Sequence, residues 1–286
     1  MDLNFIACKR RSPRMNGVKA DAQHYRKEIE RQHYDSMALK YSPGKRFGSD
    51  AMIPACRAPY LFIEEYLKKD PDIHNKSVID YACGSGFFSV YLAKLGMKKV
   101  VGVDISRESV NCGRKYALIH KVDNNCEFKV GDCERLEFND NEFDYLVSLG
   151  NLSCLDLDVA VREMARVLNR NGIALILDTL GHNQLLNFNR KIKLFLGKKT
   201  KYHVEHVLKM DDMKVFDKYF YSVNIRYFDL TTICLYPFGY IGEKFTSHIS
   251  RLLAMFDQRI LSIDFLKPLA YKFVAILSNP RKDKIF

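Results

Sequence analysis

The sequence predicts a doubly wound α/β fold, with one mostly parallel, seven-stranded sheet and helices on both faces. Two observations carry this expectation. From about Ser77 to Leu180, short apolar runs rich in Val and Ile alternate with helix-length segments, the pattern of parallel strands joined by crossover helices. One junction, "VIDYACGSGFFSVYLAKLG" from Val78 to Gly96, also reads as a buried strand, a glycine turn and a helix.

Taken in order, Asp21 to Leu39 forms a polar helix, followed by the Pro/Gly-rich loop "YSPGKRFGSD". Pro59 to Lys69 is helical, with Leu61, Phe62, Tyr66 and Leu67 near one face. The strands are then "SVIDYA", "KVVGVDIS", "CEFKVGD", "FDYLVSLG" and "IALILDTL", with "GFFSVYLAKLG", "RESVNCGRKYALIH" and "DVAVREMARVLNRNG" as the helices between them. After Leu180 the rhythm breaks. Two further strand-like runs, "YSVNIRYFDL" and "YKFVAILSN", flank some forty residues of largely helical pattern. The expected organisation is a helical cap at 1–50, the core at 51–180, a substrate lid and helical insertion at 181–270, and the last strand and tail at 271–286.

The chain has 286 residues, 47% hydrophobic and 28% charged, enough to bury a sizeable core. No run approaches the roughly 18 uninterrupted apolar residues of a membrane span. "CKRRSPR" near the start is not followed by an apolar segment, so no cleaved signal peptide is expected. The eight cysteines are scattered, with no CxxC pair; this reads as reduced thiols in a cytoplasmic protein, without a metal site. The formal net charge of +11 fits nucleic acid, an anionic membrane surface, an anionic substrate, or a generally basic proteome. More specific is the stretch Gly181 to Val204, which carries Arg190, Lys191, Lys193, Lys198, Lys199 and Lys201 and no acidic residue.

Gly84 and Gly86 stand where a parallel strand meets a helix, the ligand end of such sheets. No Gly-Lys-Ser/Thr follows, so the turn is not a P-loop. A dinucleotide fingerprint fits badly, since its third small position falls on Ser89 or Phe87. Asp104 ends the next strand, where a carboxylate can accept two hydrogen bonds from a ribose diol. Asp132 in "GDCERLEF" follows the third strand at the same edge and can take a hydrogen bond from an adenine amine. Together these describe a site for a nucleoside that needs no pyrophosphate.

On these motifs the chain resembles the class I S-adenosylmethionine-dependent methyltransferases, a Rossmann-like family. "VIDYACGSG" is similar to their first motif, "VVGVDIS" to the acidic loop after the second strand and "GDCERLEF" to the adenine loop. The segment from "FDYLVSLG" to "IALIL" is similar to their fourth strand, helix and fifth strand. The resemblance spans about Tyr34 to Leu180. It implies S-adenosylmethionine as cofactor, with Asp80, Ala82, Gly84 and Gly86 lining its methionine and ribose part. It puts Asp104, with Ile105 beside it, on the ribose and Asp132 with the Cys133 backbone at the adenine. Gly150 and Ser153 would flank the sulfonium, and "HYDSMALKY" would bring Tyr34 and Tyr41 to the cofactor. Two departures matter. Ala82 replaces a usual glycine, so its φ is expected below zero. Ser153 and Cys154 replace a common His pair, so no histidine base is expected there.

Methyl transfer to an alcohol needs a base; transfer to a carboxylate does not. Gly181-His182-Asn183-Gln184 and Val204-Glu205-His206-Val207-Leu208 resemble a segment of one subgroup, although two prolines of its pattern are missing and Val204 replaces an Asp. That subgroup implies glycan, lipid or secondary-metabolite precursors. His182 is the first candidate base and His206 the second, with Glu205 orienting an imidazole; the alternative is that either His is a structural hydrogen-bonding residue. The basic residues at 190–201 are interleaved with Ile192, Leu194, Phe195 and Leu196. They read either as a helix packed on the core or as peripheral contact with the inner membrane face or a phosphate-bearing, lipid-linked substrate. Phe245 to Phe265 is either a packed lid or a docking surface. Against a small-molecule methyltransferase stand an RNA or tRNA methyltransferase and a non-catalytic cofactor-binding subunit. "SLGNLS" after the fourth strand lacks the Asn/Asp-Pro-Pro-Tyr type of tetrapeptide, which disfavours methylation of a base amine.

Overall fold

The computed structural model describes residues 15–40, 44–238 and 243–285. The strands are β1 (Ser77–Tyr81), β2 (Lys99–Asp104), β3 (Cys126–Val130), β4 (Phe143–Leu149), β5 (Leu168–Thr179), β6 (Phe220–Phe228) and β7 (Lys272–Pro280). The helices are α1 (Met15–Ala38), α2 (Ala58–Lys68), α3 (Phe87–Lys94), α4 (Arg107–His120), α5 (Leu157–Val167), α6 (Gln184–Phe195), α7 (Lys201–Glu205), α8 (Lys214–Tyr219) and α9 (Glu243–Ile260). They build one seven-stranded sheet of order β3-β2-β1-β4-β5-β7-β6. The first five strands run parallel, and β7 lies antiparallel between β5 and β6. This is the mostly parallel, Rossmann-like sheet the sequence predicts, and the order reverses between β1 and β4.

Alternation along the strands builds two cores. Ile79, Tyr81, Val101 and Val103 face α5 and α8, packing with Ala160, Met164 and Phe216. Val78, Val100 and Val147 face α2, α3 and α4, packing with Ile63, Leu67, Phe88 and Tyr116. At the edge, β6 alternates exposed and half-buried residues, whereas its neighbour β7 is nearly continuously buried. One ring joins β3 to the glycine turn. A Cβ placed on Gly86, Gly102 or Gly113 would stand within 2.7 Å of Phe128, so Phe128 fills the space that three glycines leave.

One boundary differs from expectation. The pattern predicts helix through Gly172, but α5 stops at Val167 and β5 begins at Leu168. Asn169 donates to Asp144 Oδ1 (2.7 Å) and accepts from the Asn171 N–H (3.0 Å). This side-chain turn holds "NRNG" as an irregular excursion between the pairs Phe143↔Leu168 and Tyr145↔Ile173.

Among the described residues no helix is long and apolar enough to cross a membrane.

Candidate functional site

A cavity of about 280 Å³ opens at the reversal between β1 and β4, near the lower end of the range for ligand pockets. Asn151 ties the two diverging strands together, its side-chain N–H donating to Tyr81 O (2.8 Å) and its Oδ1 accepting from Ser148 (2.7 Å). The floor is the glycine turn. The negative φ expected at Ala82 is overturned: its φ is +55°. The left-handed step swings the following amides onto β2, where the Cys83 N–H reaches Val103 O and the Gly84 N–H reaches Asp104 Oδ2, both at 2.9 Å. A methyl group is small enough to bear this at a cost of about 1–2 kcal/mol. Gly84 and Gly150 are also left-handed, and a Cβ on either would meet nothing within 4 Å. Both therefore present bare backbone to open space.

Carboxylates stand at adjacent strand ends. Asp104 accepts from the Gly84 and Ser106 N–H groups (2.9 Å each). Burial holds its pKa above the ordinary range, against those two donors. Asp132 accepts from the Glu134 N–H (2.9 Å) and from Lys27 Nζ (2.6 Å). Lys27 also meets Glu134 at 2.9 Å, and Arg26 pairs with the same carboxylate. Helix α1 thus closes one side of the cavity, with Glu30 and Tyr34 lining it on the same helical face as Arg26. Asp35, the next residue, accepts from the Ser106 hydroxyl (2.6 Å) and the Glu108 N–H (3.2 Å), a favourable place for an anion at the start of α4.

Of the expected cofactor residues, Tyr34, Asp80, Ala82, Gly84, Asp104, Ile105, Asp132, Cys133 and Gly150 line this cavity. Gly86 lies beneath it against Phe128, and Ser153 lies behind it, buried. Tyr41 lies outside the described residues.

The three candidate catalytic residues are not brought to the cavity. His182 is exposed, its Nε2 accepting from the Met210 N–H (3.0 Å). His206 is exposed and stacked on Tyr202 at 3.8 Å, and Glu205 is exposed beside Lys201. The histidine turned inward is His203, three residues earlier on α7. It is buried, with Nδ1 3.0 Å from Ser153 Oγ and 3.1 Å from Cys154 Sγ, and Nε2 against Lys199 Nζ. An ammonium can only donate, so Nε2 accepts and Nδ1 carries the proton.

Residues 26, 27, 30 and 203 escape a motif reading. The four-residue spacing of Arg26, Glu30 and Tyr34 was the available signal, since it puts them on one face of α1.

Two buried groups set opposite pH slopes. Burial, with the charge of Asp104 adding to it and the Ser89 hydroxyl opposing, pushes Asp80 up to about 7. Its folded pKa lies above the unfolded value, so its contribution is full below about pH 4 and is lost as pH rises through 7. Burial, then Lys199 and Arg190, push His203 down to about 3; its contribution is present above about pH 6.5 and is lost as pH falls through 3. The stability of Asp80→Asn relative to wild type should therefore climb between pH 4 and 7, by about 1.4 kcal/mol per pH unit, and level off above. Urea titrations across that range check this, and a flat difference would contradict it.

The sheet order and the carboxylates at the ends of β2 and β3 define the class I methyltransferase architecture. The family described as "Methyltransferase domain" matches residues 73–217, just over half of the chain. The chain belongs to this family, the class I S-adenosylmethionine-dependent methyltransferases. It is 37% identical over 105 residues to a ubiquinone/menaquinone biosynthesis C-methyltransferase of Hahella chejuensis, covering 36% of this chain and 42% of that one. It is 30% identical over 118 residues to the enzyme of the same description from Rickettsia prowazekii, covering 39% and 47%. The chain thus spans less than half the length of these two curated relatives. In fold it is similar to the [4+2]-cyclase SpnF, with a TM-score of 0.58 at 14% identity, covering 89% of this chain and 97% of that one.

Proposed function

We propose that this chain transfers the methyl group of S-adenosylmethionine to an oxygen of a small molecule, a hydroxyl or carboxyl of a glycan, lipid-linked or secondary-metabolite precursor. The observation that carries the reading is the cavity at the strand reversal, with Asp104 and Asp132 at neighbouring strand ends and two left-handed glycines opening onto it. In this reading Asp104, beside Ile105, holds the ribose diol, and Asp132 with the Cys133 backbone holds the adenine. Asp80, Ala82 and Gly84 line the methionine end, Gly86 supports the turn, and Tyr34 and Gly150 stand around the sulfonium, with Ser153 buried next to the lining residue Cys154 and held by His203.

When bound, the cofactor supplies an electrophilic methyl group; the chain orients the acceptor and keeps water out. For a hydroxyl acceptor, Glu30 replaces the histidines as proton acceptor. It lines the cavity and burial raises its pKa; its Oε1 accepts from the Thr200 hydroxyl, and its Oε2 is buried with no hydrogen-bond partner among the described residues. A lipid-linked acceptor accords with the outer face of α6, where Phe188, Ile192 and Phe195 are exposed beside Lys191.

The test is calorimetric binding of S-adenosylhomocysteine, followed by mass spectrometry of extracts incubated with the chain and methyl-labelled cofactor. We expect binding, a labelled small molecule, and at least a hundredfold slower turnover in Glu30→Gln with binding unchanged. Label appearing in RNA would overturn the acceptor class, and absence of binding would overturn the whole reading.

A further inference from the structure

Beside Gly150, behind the cofactor cavity, lies a second chamber of about 70 Å³ lined by Asp178, Thr179, Arg190, Lys193, Lys199 and Tyr271 among others. By the same measure a water needs about 10–15 Å³, so the chamber has room for a group of several heavy atoms. Its charge is unbalanced. Three cationic side chains face one lining carboxylate, and Asp178 is already held by the Leu152 N–H (2.8 Å) and the Thr179 N–H (2.6 Å). Among the described residues none of the three cations is ion-paired. Arg190, only 5% exposed, gives its N–H groups to Asn187 Oδ1 and Leu180 O, and Lys199 meets His203. A buried guanidinium without a counter-charge is unfavourable unless an anion completes it. The same crowding acts on Lys199: burial lowers its pKa, Cys154 and Asp178 oppose this, and Lys193 and Arg190 add to the lowering.

Helix α6 is turned against its own amphipathicity, with Arg190 buried while Phe195 is 90% exposed. Ordinary core packing would place these residues the other way round.

We propose that this chamber is the acceptor subsite and that it binds a phosphate group, placing a phosphorylated acceptor next to the transferred methyl group. The surplus of two positive charges matches a phosphate monoester better than a single carboxylate. The subsite rests on the methyltransferase reading above for its role, but not for its ability to bind phosphate.

The experiment titrates inorganic phosphate and butyl phosphate into the full chain at low salt, with and without S-adenosylhomocysteine. Lys193→Met is compared throughout, because Lys193 is exposed and its loss leaves the fold intact. We expect millimolar or tighter binding of both probes, weakened at least fivefold in Lys193→Met, with S-adenosylhomocysteine affinity within twofold. A parallel arm uses vesicles of phosphatidylcholine with phosphatidic acid. Retention that is lost in Lys193→Met identifies a lipid headgroup as the source of the phosphate; butyl phosphate binding without retention identifies a soluble ester. No binding by 10 mM, or equal binding by Lys193→Met and Arg190→Gln, would overturn the subsite. Failure of S-adenosylhomocysteine to bind would overturn the cofactor reading alone, since the phosphate titration decides the subsite by itself.

Discussion

Asp104→Ala is expected to weaken S-adenosylhomocysteine binding at least a hundredfold. The carboxylate already anchors the Gly84 and Ser106 N–H groups, which fixes its orientation toward the cavity. A ribose diol would add two further hydrogen bonds to a charged acceptor, each worth about 1.5–3 kcal/mol. Losing both removes roughly 3–6 kcal/mol of binding, a factor of at least 10². Calorimetry measures this directly. Circular dichroism separates it from unfolding, because the two backbone donors also lose their acceptor. An affinity within fivefold of wild type would show that the ribose is held elsewhere.

The second large effect is on stability. Gly86→Ala should cost about 3 kcal/mol or more and lower the melting temperature by roughly 5–10 °C. Two causes add. The backbone at Gly86 has φ +78°, and an Ala Cβ would lie 2.5 Å from Phe128 Cε1 and 3.0 Å from the Gly113 Cα. A left-handed alanine costs about 1–2 kcal/mol and overpacking about 1–3 kcal/mol. Gly150→Ala is the control, being equally left-handed with nothing near its Cβ; it should lose only the backbone part. Urea unfolding of the two variants reads the difference, and equal losses would mean that the Phe128 ring moves aside freely.

Much of this molecule was legible as sequence because its signals are local. A buried parallel strand is a short apolar run, and the residue after it lies at the ligand edge; Asp104 and Asp132 follow from that alone. Ala82 failed because side-chain preference argues for negative φ, whereas two amides seeking partners on β2 impose the opposite. The placement of the histidines was hidden for a related reason. His203 lies on α7 and His206 just past its end, three residues on, and only the packing of that short helix against Ser153 and Cys154 decides which turns inward. The contribution of α1 depends on contacts more than a hundred residues away, from Arg26 to Glu134 and from Lys27 to Asp132, which no local pattern encodes.

Those same contacts bear on traffic through the cavity. Asp132, which in the proposed reading would hold the adenine of a departing product, is also one of the two carboxylates that Lys27 of α1 grips. Release and closure therefore compete for one carboxylate, and they do so through charges open enough for salt to weaken. Residence time in this cavity should be set by ionic strength as much as by the fit of the nucleoside.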